Sequence, residues 1–337
     1  MRKVLLKNIA EHVGVSIALV SYVLNGKAEE KQVGKEAAEK IRAAAAELNY
    51  QPNHIAKSLK TRKTYTIGLV VADIKYRFST GITSAIEAEA KKKGYNVIFG
   101  SSNENAEKFN ELTNVLVNRQ VDGLIVVPSE DSQDQIALLQ NSGVPLVLID
   151  RYFPELNTNC IVLDNFKAAY EITSYLIRQG HARIGFVNLE TTLHHLHERS
   201  RGYKQALADH GIEFSPHWLQ KIGVNDRAKG VETALNQMLK REAPCDAVFF
   251  ATDTLSIMGL KTMNGMNLKV PDDVSVISFD EAEAFDLFYC SVTHWRQPLE
   301  EMGKIAVKTL IDVIKHGKTY KQITLESSFV AGKSCRE

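Results

Sequence analysis

LKNIAEHVGVSIALVSYVLNG, residues 6–26, holds two short apolar-patterned segments around a glycine. The first reads as a helix over residues 8–13, with Leu6, Ile9, Ala10 and Val13 on one side. Gly14 supplies the permissive backbone of a tight turn. Ser16 suits the N-cap of a second helix, because its hydroxyl can accept from a free N–H of the first turn. That helix runs to about Leu24, and Asn25-Gly26 ends it. Val15, Leu19, Val20, Val23 and Leu24 form its apolar stripe. Ser16, Ile17, Ser21, Tyr22 and Asn25 stay on faces that a core does not need. A third helix over residues 35–48 presents Ala37, Ala38, Ile41, Ala44, Ala45 and Leu48. Three such helices can share one small core. Two helices around a glycine turn match the helix-turn-helix, whose second helix fits the DNA major groove. The alternative is a helical hairpin without a ligand.

Charge is compatible with the first reading and equally with a solvated surface that happens to be basic. Residues 1–63 hold 12 Lys/Arg against 6 Asp/Glu, whereas the rest of the chain holds 29 against 34. The overall net charge of +1 hides a basic head on a mildly acidic body, and a basic head suits a polyanion. With 337 residues, two or three units are expected. No apolar run approaches the length of a membrane span, and the apolar run near the start is too short for a secretory segment. A cytoplasmic location is therefore expected. Cys160, Cys245, Cys290 and Cys335 have neither metal-ligand nor disulfide spacing, which suits a reducing compartment.

From Thr66 onward, short apolar runs alternate with helical patterns. TIGLVVA, YNVIFG, DGLIVVP and PLVLID form one series; CIVLD, RIGFVN, DAVFFA and VSVISFD form a second. This alternation predicts two doubly wound α/β subdomains with parallel sheets. Open parallel sheets bind ligands beyond the carboxyl ends of their strands. Those ends present Asp73, Ser101, Ser129, Asp150-Arg151, Asn188, Thr252-Asp253 and Asp280. Carboxylates accept from paired hydroxyls and Arg donates to ring oxygens, so a polyhydroxylated ligand fits. The competing role for an Asp at a strand end is to cap the next helix. His194, His195 and His197 in TTLHHLHER do not converge as metal ligands. They read instead as a loop over the ligand mouth. No G-x-G-x-x-G, P-loop or G-x-S-x-G is present, and GKSC near the end lacks the context of a phosphate loop.

IAEHVGVSIALVSYVLNG, followed by ELNYQPNHIAKSLKTRKTYTIGLVV, resembles the LacI/GalR family of bacterial transcription repressors. The resemblance implies base contacts from Ile17 and Ala18 and phosphate contacts from Ser16 and Ser21, with Asn25 also on the DNA side. Tyr22 stands where the family usually has an Arg for guanine. A phenol cannot hold O6 and N7 with two donors, so a changed operator base pair is expected. Leu19 likewise replaces a common Thr. In the linker, the resemblance implies a hinge helix that folds on operator DNA, with Asn53, His54 and Lys57 among its DNA contacts and Leu59 wedged into the minor groove; the alternative is a plain flexible tether. Lys60, Arg62 and Lys63 would neutralise nearby phosphates.

In the body, PLVLIDR, HERSRGYKQAL, VISFDEAE, ATDTLSIMGL and ADIKYRFST resemble the family's effector-binding segments. They imply effector contacts from Asp73, Phe78, Ser101, Asp150, Arg151, Arg199, Thr252, Asp253 and Asp280. Thr252 stands where Asn is common, and Ser79 replaces a second aromatic. The expected domains are a helix-turn-helix over residues 1–50, a hinge over 51–64 and a periplasmic-binding-protein-like body over 65–337. Within the body, the N-subdomain takes about 65–162 plus 295–325, and the C-subdomain about 163–292 plus 326–337. The expected function is an effector-controlled DNA-binding regulator, most simply a repressor. It would act as a homodimer on a near-palindromic operator, with a sugar or sugar derivative as effector, a purine-like ligand as alternative, and no cofactor or membrane. The missing C-terminal Leu-heptad helix argues against a coiled-coil tetramer. The competing readings are a sugar-binding transport component and an α/β enzyme.

Overall fold

The computed structural model describes residues 4–50, 63–317 and 320–336. The chain divides into two compact units, Met1–Thr64 and Tyr65–Glu337. The expected hinge residues Asn53, His54, Lys57, Leu59, Lys60 and Arg62 lie outside the described residues.

In the first unit, α1 (Leu6–Val13), α2 (Ile17–Leu24) and α3 (Lys35–Glu47) enclose one core. Ile9, Ala10, Val20, Val23, Ile41 and Ala44 are buried in it. Gly14 takes φ +75°, the left-handed turn conformation that glycine adopts without strain. The Ser16 hydroxyl accepts from the Leu19 N–H at 3.2 Å, the N-cap that the sequence predicts.

The second unit holds two six-stranded sheets. The first is built from β1 (Thr66–Val71), β2 (Asn96–Ser101), β3 (Gly123–Val126), β4 (Leu146–Ile149), β5 (Cys160–Leu163) and β11 (Gln322–Leu325). Its order is β11-β5-β4-β3-β1-β2, parallel throughout. On one face, α4 (Arg77–Lys92) and α11 (Leu299–His316) bury Ile82, Ile86, Met302 and Leu310. On the other, α5 (Ala106–Asn118) and α6 (Gln133–Asn141) bury Phe109, Leu116, Ile136 and Leu139. Layers on both faces explain why these strands are continuous apolar runs rather than alternating ones.

The second sheet contains β6 (Ile184–Leu189), β7 (Leu219–Ile222), β8 (Ala247–Phe250), β9 (Ser275–Phe279), β10 (Thr293–Arg296) and β12 (Ser328–Val330). Its order is β12-β10-β9-β8-β6-β7, with β12 antiparallel. α7 (Asn165–Arg178) and α8 (His194–Asp209) cover one face, and α9 (Arg227–Leu239) and α10 (Asp253–Gly265) the other. Helices α7 and α8 touch at Gly202. A Cβ there would stand 2.2 Å from the Phe166 carbonyl oxygen, so only glycine permits this approach. No described helix is long and apolar enough to cross a membrane.

Three details depart from the sequence reading. CIVLD, grouped with the second series although the expected N-subdomain ran to about residue 162, is β5 of the first sheet and pairs with β4 and β11. The segment 150–159 returns the chain beside β4 without a helix, and the crossing follows at Asp164. Residues 295 and 296 belong to β10 of the second sheet, not to the first subdomain. Trp295 is buried there against Phe329, ring centroids 4.7 Å apart. Strand β7 (LQKI) is too short and polar to stand out in the sequence.

Candidate functional site

In the first unit, α2 turns its apolar stripe inward and leaves a polar-edged face open. Ser16, Ile17, Ala18, Tyr22 and Asn25 are exposed, and Ser21 is half-buried. An exposed isoleucine and tyrosine on the first two turns of a helix serve no core. The Asn25 amide nitrogen donates to the Ser21 carbonyl at 2.7 Å, which ties the end of the helix to its middle.

In the second unit, the carboxyl ends of both sheets face one cavity of about 470 Å³. Loops after β1, β3 and β4 line it from one side, and those after β6, β8 and β9 from the other. Each sheet reverses its strand order within this set, at β1/β3 and β6/β8, the switch points where open sheets receive ligands. Phe78, Asp150, Arg151, Arg199, Thr252, Asp253 and Asp280 all line it. Asp73 instead borders an adjoining outer cavity, its carboxylate accepting from the Lys75 N–H. Ser101 borders neither of these cavities. Its hydroxyl accepts from Ile74 N–H and donates to Asn103, which makes it a loop tether. Thr252 is the N-cap of α10, so its hydroxyl already accepts from Leu255 N–H.

Arg199 is 2% exposed at the second-subdomain wall. Its Nε donates to Asn165 at 2.9 Å and Nη1 to the Ala251 carbonyl at 2.6 Å, while the guanidinium carbon sits 3.4 Å from the Phe279 ring centroid. These contacts fix the plane of the guanidinium over an aromatic face. Opposite, Arg151 is clamped by Glu104 through two bonds of 2.7 and 2.8 Å. Asp150 and Asp280 both adopt positive φ, +66° and +67°, one at each sheet. Asp tolerates this left-handed backbone better than most residues, and here it turns the chain sharply at the end of each strand.

Burial raises Asp150 and Asp253 above the usual carboxylate range, against the pull of neighbouring Arg side chains. It pushes Asp280 up to about 7, despite Arg199. His195 is held neutral, first by burial and then by Arg199 and Arg151. Asp150 Oδ1, His195 Nδ1 and Gln297 Oε1 are buried without a hydrogen-bond partner among the described residues. Buried polar atoms left unpaired beside a cavity need a partner, which water or a ligand can supply.

The raised Asp280 has a measurable consequence. Its folded carboxyl keeps a proton to higher pH than in the unfolded chain. The ligand-free protein therefore loses stability as pH rises from about 4 through 7, then loses no more from this group. Asp280→Asn is expected to shrink that slope and raise the melting temperature at pH 8. Thermal melts at pH 5 and pH 8 test this, and an unchanged difference between them would clear Asp280 as the source.

The structure adds residues that the sequence reading missed. Gln297 donates to Asp280 at 2.8 Å, and Tyr76, Glu104, Glu130 and Arg227 also line the cavity, together with His195 from the segment expected over the ligand mouth. Only the abrupt RQP before α11 hinted at Gln297. TTLHHLHER is not a loop: α8 starts at His194, so His195 reaches the cavity from a first helical turn. No cluster of metal-binding geometry occurs among the described residues.

Comparison with known proteins agrees with both surfaces. Residues 5–53 match the family of bacterial regulatory proteins of the lacI type, and residues 64–330 match the periplasmic binding proteins and sugar-binding domain of the LacI family. A ribose operon repressor of Haemophilus influenzae is 32% identical over 332 residues, 98% of each chain. The transcriptional repressor PurR of the same species is 28% identical over 336 residues, again 98% of each. The fold matches the lac repressor dimer bound to operator, with TM-score 0.87 at 24% identity over 99% of each chain. The chain therefore belongs to the LacI family of transcription repressors, as a DNA-binding regulator whose sugar-binding domain places it under effector control.

Proposed function

We propose that the effector is an uncharged monosaccharide held by Asp150, Arg151, Arg199, Asp253, Asp280 and Gln297. One observation carries this reading: the cavity combines unpaired buried acceptors with an acidic lining. Asp150, Asp253, Asp280, Glu104, Glu107, Glu130 and Asp131 face only Arg151, Arg199 and Arg227. A phosphate or carboxylate would meet like charge there, whereas sugar hydroxyls donate to these carboxylates. Phe78 and Tyr76 are the Phe, Tyr or Trp side chains that line the cavity among the described residues, and both come from the segment after β1, which suits one wall for a sugar ring better than a sandwich for a purine. A 32% identical relative is a ribose operon repressor, which makes D-ribose the first probe.

On the DNA side, Ile17, Ala18 and Tyr22 would read base edges, Ser16, Ser21 and Asn25 would hold the backbone, and Leu59 would wedge the minor groove. The protein would act in the cytoplasm as a homodimer on a near-palindromic operator. The dimer face would include edge strand β2, where Phe99 is 54% and Ile98 43% exposed. An apolar sheet edge left open is a liability that a partner copy removes. Effector and operator would then bias one equilibrium of subdomain closure, and their coupling is reciprocal.

Calorimetric titration with D-ribose, ribose 5-phosphate and hypoxanthine tests the effector class. Binding of the free sugar alone is the expected result. Tighter binding of the phosphate or the base would replace the sugar reading.

A further inference from the structure

The interdomain cleft has two chambers. The inner cavity of about 470 Å³ adjoins an outer one of about 740 Å³. Tyr76, Glu104, Val224, Arg227, Asp253 and Thr254 line both, and so form the wall between them. Two of these residues meet across the cleft. Arg227 Nη1 donates to the Tyr76 hydroxyl at 2.9 Å, with the guanidinium carbon 6.0 Å from the ring centroid. Each end of this bar stands at the start of a helix. Tyr76 is the N-cap residue of α4, and Arg227 opens α9, whose N-cap Asp226 accepts from Lys229 N–H. Burial raises the Tyr76 phenol above its ordinary range, so it stays protonated and accepts from Arg227 through a lone pair. Arg227 Nε is buried without a partner among the described residues.

We propose that the Tyr76–Arg227 bar determines effector size: it confines the ligand to a single unsubstituted ring in the inner chamber. This deepens the monosaccharide reading above and rests on it. A glycosidic substituent leaving the ring toward the outer chamber would have to break the Tyr76–Arg227 bond and leave a half-buried guanidinium, whose Nε is itself buried, without that partner. A bare ring leaves the bar intact and offers a hydroxyl to Arg227 Nε, which closes the inner chamber more firmly. Exclusion therefore comes from a lost polar pair as well as from lost space, and that combination discriminates more strongly than a missing methylene would.

The bar is one of several contacts across the cleft. Arg77 pairs with Glu281 and, at 3.4 Å, with Glu283, while the Thr192 hydroxyl donates to Glu130 at 2.7 Å; both contacts cross between the subdomains. A filter and a latch thus predict different outcomes. A latch lost lowers affinity for every ligand alike, whereas a filter lost selectively admits the larger ones.

The test is calorimetric titration of the full-length protein with two pairs of probes, D-ribose with inosine and D-glucose with cellobiose. In each pair the second member carries the ring of the first plus one substituent. Wild type is expected to bind one of the single rings, with its extended partner at least about 30-fold weaker. Tyr76→Ala should cut that ratio by about tenfold or more through a gain for the extended ligand, and Arg227→Ala should move it the same way. Tyr76→Phe keeps the ring, loses the hydroxyl and should fall between. Equal weakening of both members in Tyr76→Ala overturns the filter and leaves a latch. Wild type binding the extended partner as tightly as the ring overturns it too. Wild type binding none of the four overturns the sugar reading itself, and the filter with it.

Discussion

Arg199→Ala protein is expected to bind its effector about 100-fold or more weakly while still binding operator. Arg199 is a buried cation in the cavity wall, held by Asn165, the Ala251 carbonyl and the face of Phe279. Burial lowers its pKa, and the carboxyls of Asp280 and Asp150 oppose that shift. Removing one partner from a buried, hydrogen-bonded charge cluster costs about 3–5 kcal/mol, and each 1.4 kcal/mol is about tenfold in affinity. Part of that loss falls on the ligand-free protein, because Asp280 and Asp150 lose their compensating cation. A thermal melt beside each titration separates the two contributions. Arg199→Lys keeps the charge but not the planar fork, so it should recover stability better than affinity. Operator binding is read by fluorescence anisotropy without effector. Undiminished effector binding in Arg199→Ala would remove Arg199 from the effector site.

The second large effect is expected from Phe99→Asp. If the β2 edge joins two copies, a carboxylate at this half-exposed aromatic position breaks the dimer. A monomer then meets a two-half-site operator with one reading head. Tethering two heads raises apparent affinity by about 10²–10⁴ without any new contact, so its loss should weaken operator binding by that order. The slope of log affinity against log salt should fall to about half, because half the phosphates are neutralised. Effector affinity should stay close to wild type, since Phe99 does not line the cavity. Sedimentation equilibrium reads the assembly directly. A Phe99→Asp protein that remains dimeric would move the interface elsewhere.

The head was legible because its signals are local. A glycine turn, a serine cap and two apolar stripes lie within 21 residues and fix α1 and α2 almost to the residue. The alternating body was legible for the same reason, since each strand is an apolar run bounded by turn residues. What the sequence hid depends on pairings across long separations. β5 joined the first sheet because β4 and β11 flank it there, and the latter partner is about 160 residues away. In the cavity, single residues at strand ends were visible, and seven of the nine candidates line it. Their partners were not, because Arg151–Glu104 and Tyr76–Arg227 span 47 and 151 residues. Ser101 misled for a simpler reason: its strand end points a hydroxyl at the neighbouring loop, and nothing in its local sequence distinguishes tether from ligand contact.

The exposed face of α2 bears on how such a protein changes over generations. Ile17, Ala18 and Tyr22 contribute almost nothing to the small core, which rests on Ile9, Val20, Val23 and Ile41. Exchanges at those three positions are therefore cheap in folding terms, of the order of 0.5 kcal/mol for surface sites. A duplicated copy of the gene could drift toward a new operator one substitution at a time, with a folded intermediate at every step.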